Sequence, residues 1–150
     1  MIKMKAIISS ILLALLSTLP LGAFAEKSLD FGDYTVHFNA FRSDSLTPEI
    51  AKAYQLTRRN NRMVVNITVR KREAGGKTSP AKAKVTGFAS NLNSQVKNLK
   101  FREIHDGEAI YYLAQAQVSN RETLRFDIKA TPDGETITAK IKFKQQFFTD

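Results

Sequence analysis

The chain has no cysteine and no tryptophan among its 150 residues, and only two histidines, His37 and His105. The missing thiols exclude a disulfide-stapled miniprotein, a cysteine-ligated zinc or iron–sulfur centre, a thiol enzyme and a lipid-modified N-terminal cysteine. Acids are also in the minority, 14 against 23 lysines and arginines, for a formal charge of +9. Hydrophobic content of 43% beside 25% charged residues is ordinary for a globular protein, so composition leaves the fold open.

No apolar run is long enough to span a bilayer as a helix. The longest lies near the start: Lys3 and Lys5 lead into the uncharged stretch from Ala6 to Leu16, Pro20 and Gly22 interrupt it, and Ala23-Phe24-Ala25 precedes Glu26. A positive start, a short apolar middle and a small-x-small end make a secretory signal peptide, with cleavage expected after Ala25. An uncleaved anchor is the alternative that Pro20 and Gly22 disfavour. Residues 26–150 would form the exported domain, with no transmembrane segment and a charge of +7, because residues 1–25 carry two lysines and no acid. A domain of that size buries roughly two-thirds of its unfolded surface, enough for a core without crosslinks.

The remainder reads as all-β. From Asp33 to Phe41, the residues Tyr34, Val36, Phe38 and Ala40 alternate with Thr35, His37 and Asn39. The same period of two runs through Met63 to Arg72, Ala81 to Ala89, a fourth run holding Leu99, Phe101 and Glu103, Ala109 to Val118, Leu124 to Ala130, and a seventh from Ile137 to Phe143. Turn formers such as Gly75-Gly76, Asp106-Gly107 and Pro132-Asp133-Gly134 separate the runs. About seven short antiparallel strands predict an immunoglobulin-like β-sandwich, with an up-and-down barrel as the rival.

One connection breaks this rhythm. Between the first two runs, Thr47-Pro48-Glu49 carries a hydroxyl N-cap, a proline at the first helical position and an early acid. A short helix follows, with Ile50, Ala51 and Tyr54 as its apolar stripe and Arg58 and Arg59 beyond its end. Packed on a core, it would cap an open end of the sandwich with Tyr54 and Leu56 as plug. Long connections also serve as contact regions, and Arg42, Thr47, Glu49, Tyr54, Arg58 and Arg62 are the candidates for binding a partner here.

The stretch YTVHFNAFRSDSLTPEIAKAYQLTRRNNRMVVNITV resembles a family of small exported proteins of Gram-negative bacteria named domain of unknown function 4426. KVTGFASNLNSQVKNLKFREI, EAIYYLAQAQVSNRETLRFDI and KFKQQFF fit as well, in order. The resemblance implies an exported β-sandwich and carries over no activity and no catalytic residue; export through a cleaved signal peptide makes the periplasm the expected compartment.

Chemistry is sparsely represented. Neither histidine lies in a nucleophile motif, and there is no G-x-S-x-G. Glu103, His105, Asp106 and Glu108 could supply metal ligands from one hairpin, the same pattern as any acidic turn after a strand. Paired carboxylates for glycoside cleavage remain possible by composition, but the lack of tryptophan is unfavourable to an aromatic sugar cleft. Gly75-Gly76-Lys77-Thr78 lacks the preceding glycine of a phosphate loop. No cofactor motif remains.

Basic charge is the stronger lead. In the seventh run Lys140, Lys142 and Lys144 face away from Ile141 and Phe143, standing about 7 Å apart along one strand. Lys82 and Lys84 pair similarly in the third run, and Arg125 and Lys129 in the sixth. If the last two strands pair, one sheet carries a basic outer face suited to anions of the envelope, or simply to solubility. Nucleic acid is not an expected partner of an exported protein. Two functions therefore stand: a non-catalytic binding or accessory module engaging a protein or anionic envelope partner, and a small metal-binding protein or hydrolase using His37 or His105.

Overall fold

A computed structural model describes residues 27–150; the expected signal peptide lies outside the described residues. Among the described residues ten strands form two antiparallel sheets. The first sheet runs β1 (Lys27–Phe31), β2 (Tyr34–Arg42), β3 (Arg62–Arg72), β8 (Ala109–Gln117) and β7 (Arg102–Asp106), and β4 (Thr78–Pro80) pairs with the end of β3 that β8 does not reach. The second runs β10 (Ala139–Phe147), β9 (Glu122–Pro132), β5 (Ala83–Ser90) and β6 (Val96–Leu99). The sheets keep separate edge strands, so the molecule is a sandwich and not a closed barrel.

Period-two patterning explains the packing. Val36, Met63, Val65, Ile67 and Val69 from the first sheet meet Leu124, Phe126, Ile128 and Ile141 from the second, all at or near complete burial. Phe126 stacks on Phe143 with centroids 4.4 Å apart, and Phe143 in turn lies 5.1 Å from Phe38 across the sheets. Such offset aromatic contacts add to the area they bury.

The structure departs from the sequence pattern in four places. Strand β4 lies in the stretch expected to connect the second and third runs, where it pairs with the end of β3. The run containing Leu99, Phe101 and Glu103 is two strands: β6 ends at Leu99 in the second sheet, and the chain crosses through Lys100 and Phe101 to begin β7 in the first. Strand β1 precedes the first expected strand, joined through a two-residue turn in which Gly32 has φ +52°. The last strand starts at Ala139, leaving Ile137 outside it and against Gly32.

The helix, α1 (Pro48–Ala53), starts as its sequence indicates: Thr47 is the N-cap, its hydroxyl accepting from the Ile50 amide at 3.3 Å, with Pro48 in the first turn. Its position differs from the expected plug. Ala51 and Leu56 bury against Val64 and Leu113. Those two residues are out of phase with Met63, Val65, Tyr112 and Ala114, which face the main core. The helix therefore covers the outer face of the first sheet as a partial third layer. Ile50, expected in the apolar stripe, is 43% exposed.

Candidate functional site

The connection carrying α1 is held closed by its own polar side chains. Arg42 grips Asp44 with two hydrogen bonds, of 2.9 and 2.8 Å, and donates a third to the Phe148 carbonyl at 2.8 Å. Arg58 donates to the carbonyls of Leu46 at 2.7 Å and Asp44 at 3.2 Å. The Tyr54 hydroxyl donates to Asp106 Oδ2 at 2.6 Å, and that bond, with partial burial, pushes the phenol up to about 12. Glu49 sits exposed in the first turn of α1, and Arg62 opens β3 half-buried. Of the six expected contact residues, Arg42, Thr47, Tyr54 and Arg58 are thus engaged within the fold.

Sequence reasoning passed over Ser43. It is fully buried, and its hydroxyl donates to the Arg59 carbonyl at 3.0 Å while accepting from the Arg59 amide at 2.9 Å. It clips the two ends of the connection together, and no local motif marks it.

The histidines do not share a site. His37 lies on β2 and His105 on β7, with β3 and β8 between them, about 14 Å at the usual strand spacing. His105 Nε2 is 3.1 Å from Glu103 Oε2, and Glu103 Oε1 accepts from the Tyr112 hydroxyl at 2.8 Å. These bonds, first that from His105, hold the Glu103 carboxyl below its usual range. Asp106 turns away to Tyr54, so the acids of this hairpin diverge. Among the described residues no three or more histidines and acids gather where they could hold a metal ion.

The outer face of the second sheet is different in kind. Strand register places Lys140 beside Lys129 and Thr86, Lys142 beside Asp127 and Phe88, and Lys144 beside Arg125 and Ser90. Lys84 joins the same face opposite Thr131. Six cations thus stand on one sheet face with Asp127 as its single carboxylate. Lys142 reaches Asp127 at only 3.8 Å and stays 71% exposed, so this ion pair neutralises little of the field. A shallow hollow of about 440 Å³ opens on this face, lined by Phe88, Arg125, Asp127, Lys142 and Lys144. The sequence had indicated Lys140, Lys142 and Lys144 and their neighbours Arg125 and Lys129; pairing unites them and adds Phe88. A larger hollow of about 550 Å³ lies between β2 and β10, bounded by Arg42, Gln145 and Phe148. Part of its wall is tied by hydrogen bonds from Arg42 to Phe148 and from Gln145 to Ala40.

Fold and surface together define a β-sandwich with a helix-covered first sheet and a basic, uncovered second sheet. The chain belongs to the DUF4426 family, a domain of unknown function, whose family model matches residues 28–150. It is similar to a DUF4426 family protein from Pseudomonas aeruginosa PAO1, whose crystal structure aligns at 38% identity with a TM-score of 0.71, over 83% of this chain and 96% of that one. FetP of uropathogenic E. coli strain F11, recombinantly expressed in the periplasm of E. coli BL21(DE3), aligns at 12% identity with a TM-score of 0.49, over 83% of this chain and 93% of that one. No curated protein sequence matches the chain. Among the described residues no helix is long and apolar enough to cross a membrane.

Proposed function

We propose that this protein is an exported, periplasmic, non-catalytic binding module that engages an anionic envelope partner through the outer face of its second sheet. The observation that carries this reading is the imbalance of six cations to one carboxylate on that face. Clustered charge of one sign raises the local concentration of opposite charge and speeds encounter. The leader pattern of residues 1–25 supports export, with Glu26 as the mature N-terminus. In this reading Arg42, Thr47, Tyr54 and Arg58 keep the α1 connection seated, while Glu49 and Arg62 lie on that separate, helix-covered side.

The test is retention of residues 26–150 on immobilised heparin, a sulfated polyanion, across a salt gradient. Retention at low salt that disappears by moderate salt, and that is lost when Lys140, Lys142 and Lys144 become glutamate with melting temperature unchanged, is the expected result. Unimpaired retention by the triple variant would move the site elsewhere, and no retention at low salt would end the reading. Replacing Arg58 and Arg62 by glutamate should leave retention intact.

A further inference from the structure

We propose that the anionic partner is a phospholipid membrane surface, met by the basic rows of β9 and β10 and entered by Phe88, Leu92 and Val96. This rests on the reading that the basic face is the binding face.

Among the described residues seven large apolar side chains are exposed, and three of them converge here: Phe88 at 40%, Leu92 at 67% and Val96 at 61%. Single exposed apolar residues are normal on a soluble protein, but a cluster bordering a charged surface is not random decoration. Phe88 projects outward from β5, and Val96 lies opposite Ser90, an outward position of the same strand. A second hollow, of about 290 Å³, is lined by Phe88, Leu92, Val96 and Arg125. Phe88 and Arg125 belong to both hollows, so the basic rows and the apolar tips form one continuous surface.

The loop that raises Leu92 is tightly built. Asn91 Oδ1 accepts from the amides of Asn93 and Gln95, both at 3.0 Å, and Asn91 Nδ2 donates to Gln95 at 2.7 Å and to Glu122 at 2.9 Å. Leu92 is thus held out into solvent by a preorganised turn, which lowers the ordering cost of any contact it makes.

The kind of charge selects the partner. Five of the six cations are lysines, Lys84, Lys129, Lys140, Lys142 and Lys144, and only Arg125 is arginine. Lysine is depleted at protein–protein interfaces, where arginine is enriched. A flexible ammonium that can stay hydrated at headgroup level while apolar neighbours enter the acyl boundary suits an anionic bilayer. Five of the six charges lie on β9 and β10, with Lys84 at the far end of β5, while the apolar tips gather at the other end of β5 and on β6.

The test uses residues 26–150 with vesicles of phosphatidylcholine alone and of phosphatidylcholine with phosphatidylglycerol. The chain has no tryptophan, so Phe88→Trp supplies a unique reporter while keeping an aromatic anchor. Its emission should shift to the blue with vesicles containing phosphatidylglycerol and stay unshifted with phosphatidylcholine alone. A double variant, Leu92→Ser with Val96→Ser, should bind the anionic vesicles about tenfold more weakly or worse, while keeping its melting temperature and its heparin retention. Heparin retention without vesicle binding would overturn the membrane assignment and leave the anion-binding reading standing. Failure on both would remove both. Equal binding to the two vesicle types would overturn the role of headgroup charge, and full vesicle affinity in the double-serine variant would overturn the role of the apolar tips.

Discussion

The hydroxyl of Tyr54 lies 2.6 Å from Asp106 Oδ2 and fastens the end of α1 to the last residue of β7, 52 residues further along the chain. Tyr54→Phe keeps the ring contact with Tyr111 and removes only this bond. The site is partly open to solvent, so the expected loss is about 1 kcal/mol, read by urea denaturation. The bond also sets an alkaline limit. The folded phenol titrates at about 12 against 10.0 for the free group, so its contribution is complete below pH 10 and is lost as pH rises toward 12. Tyr54→Phe should flatten that part of the stability profile. Tyr112, pushed up to about 12 chiefly by burial, should preserve the remainder.

Ser43→Ala should cost about 2 kcal/mol, because the Arg59 amide and carbonyl both lose their partner while Ser43's own site stays buried. Amide exchange at Arg59 should accelerate more than exchange in the strands of the second sheet. Equal acceleration everywhere would show that Ser43 acts on the whole fold and not on this connection.

Glu122, like Glu103, contributes to the acid side. Burial would raise its carboxyl, but hydrogen bonds from Asn91 and the Ser119 amide, with Lys97 nearby, outweigh it and lower the value from 4.5. A depressed folded value means stability present above about pH 4.5 and lost as pH falls through the folded value. Glu122→Gln should therefore lower the melting temperature at pH 7 and leave a shallower decline below pH 4.5 than the parent shows.

Gly87 faces the core from β5, and a Cβ there would sit 2.6 Å from the Asp127 carbonyl and 2.8 Å from Ile128 Cα. Both are backbone atoms of β9 and cannot rotate aside. Gly87→Ala is expected to cost about 3 kcal/mol or more, seen as a lowered urea midpoint or insoluble expression. Parent-like stability would mean that β5 and β9 can separate locally without loss.

Asp127→Asn removes the sole carboxylate from the basic face without changing side-chain shape. Heparin affinity at low salt should rise about two- to fivefold, and the gain should vanish at high salt. Weaker binding would mean that Asp127 orients Lys142 and does not oppose the ligand.

Much of the architecture is legible in local order. Alternation along Tyr34–Arg42 and Arg62–Arg72 marks strands because neighbouring side chains on a strand point to opposite faces. Thr47-Pro48 marks the helix start because capping is a contact of near neighbours in sequence. The lysine row on β10 follows from the same alternation. Long-range relationships were settled in three dimensions. The consecutive apolar residues Met63-Val64-Val65 hint at a strand covered on both sides, but only packing shows that Ala51 and Leu56 provide the second cover. Ser43 and Arg59, or Tyr54 and Asp106, meet through chain reversals that no short window contains. Likewise, residues spread from Lys84 to Lys144 become one basic face only through the pairing of β5, β9 and β10. Periodicity tells each strand which way its side chains point, and hydrogen-bonded register decides which of them become neighbours.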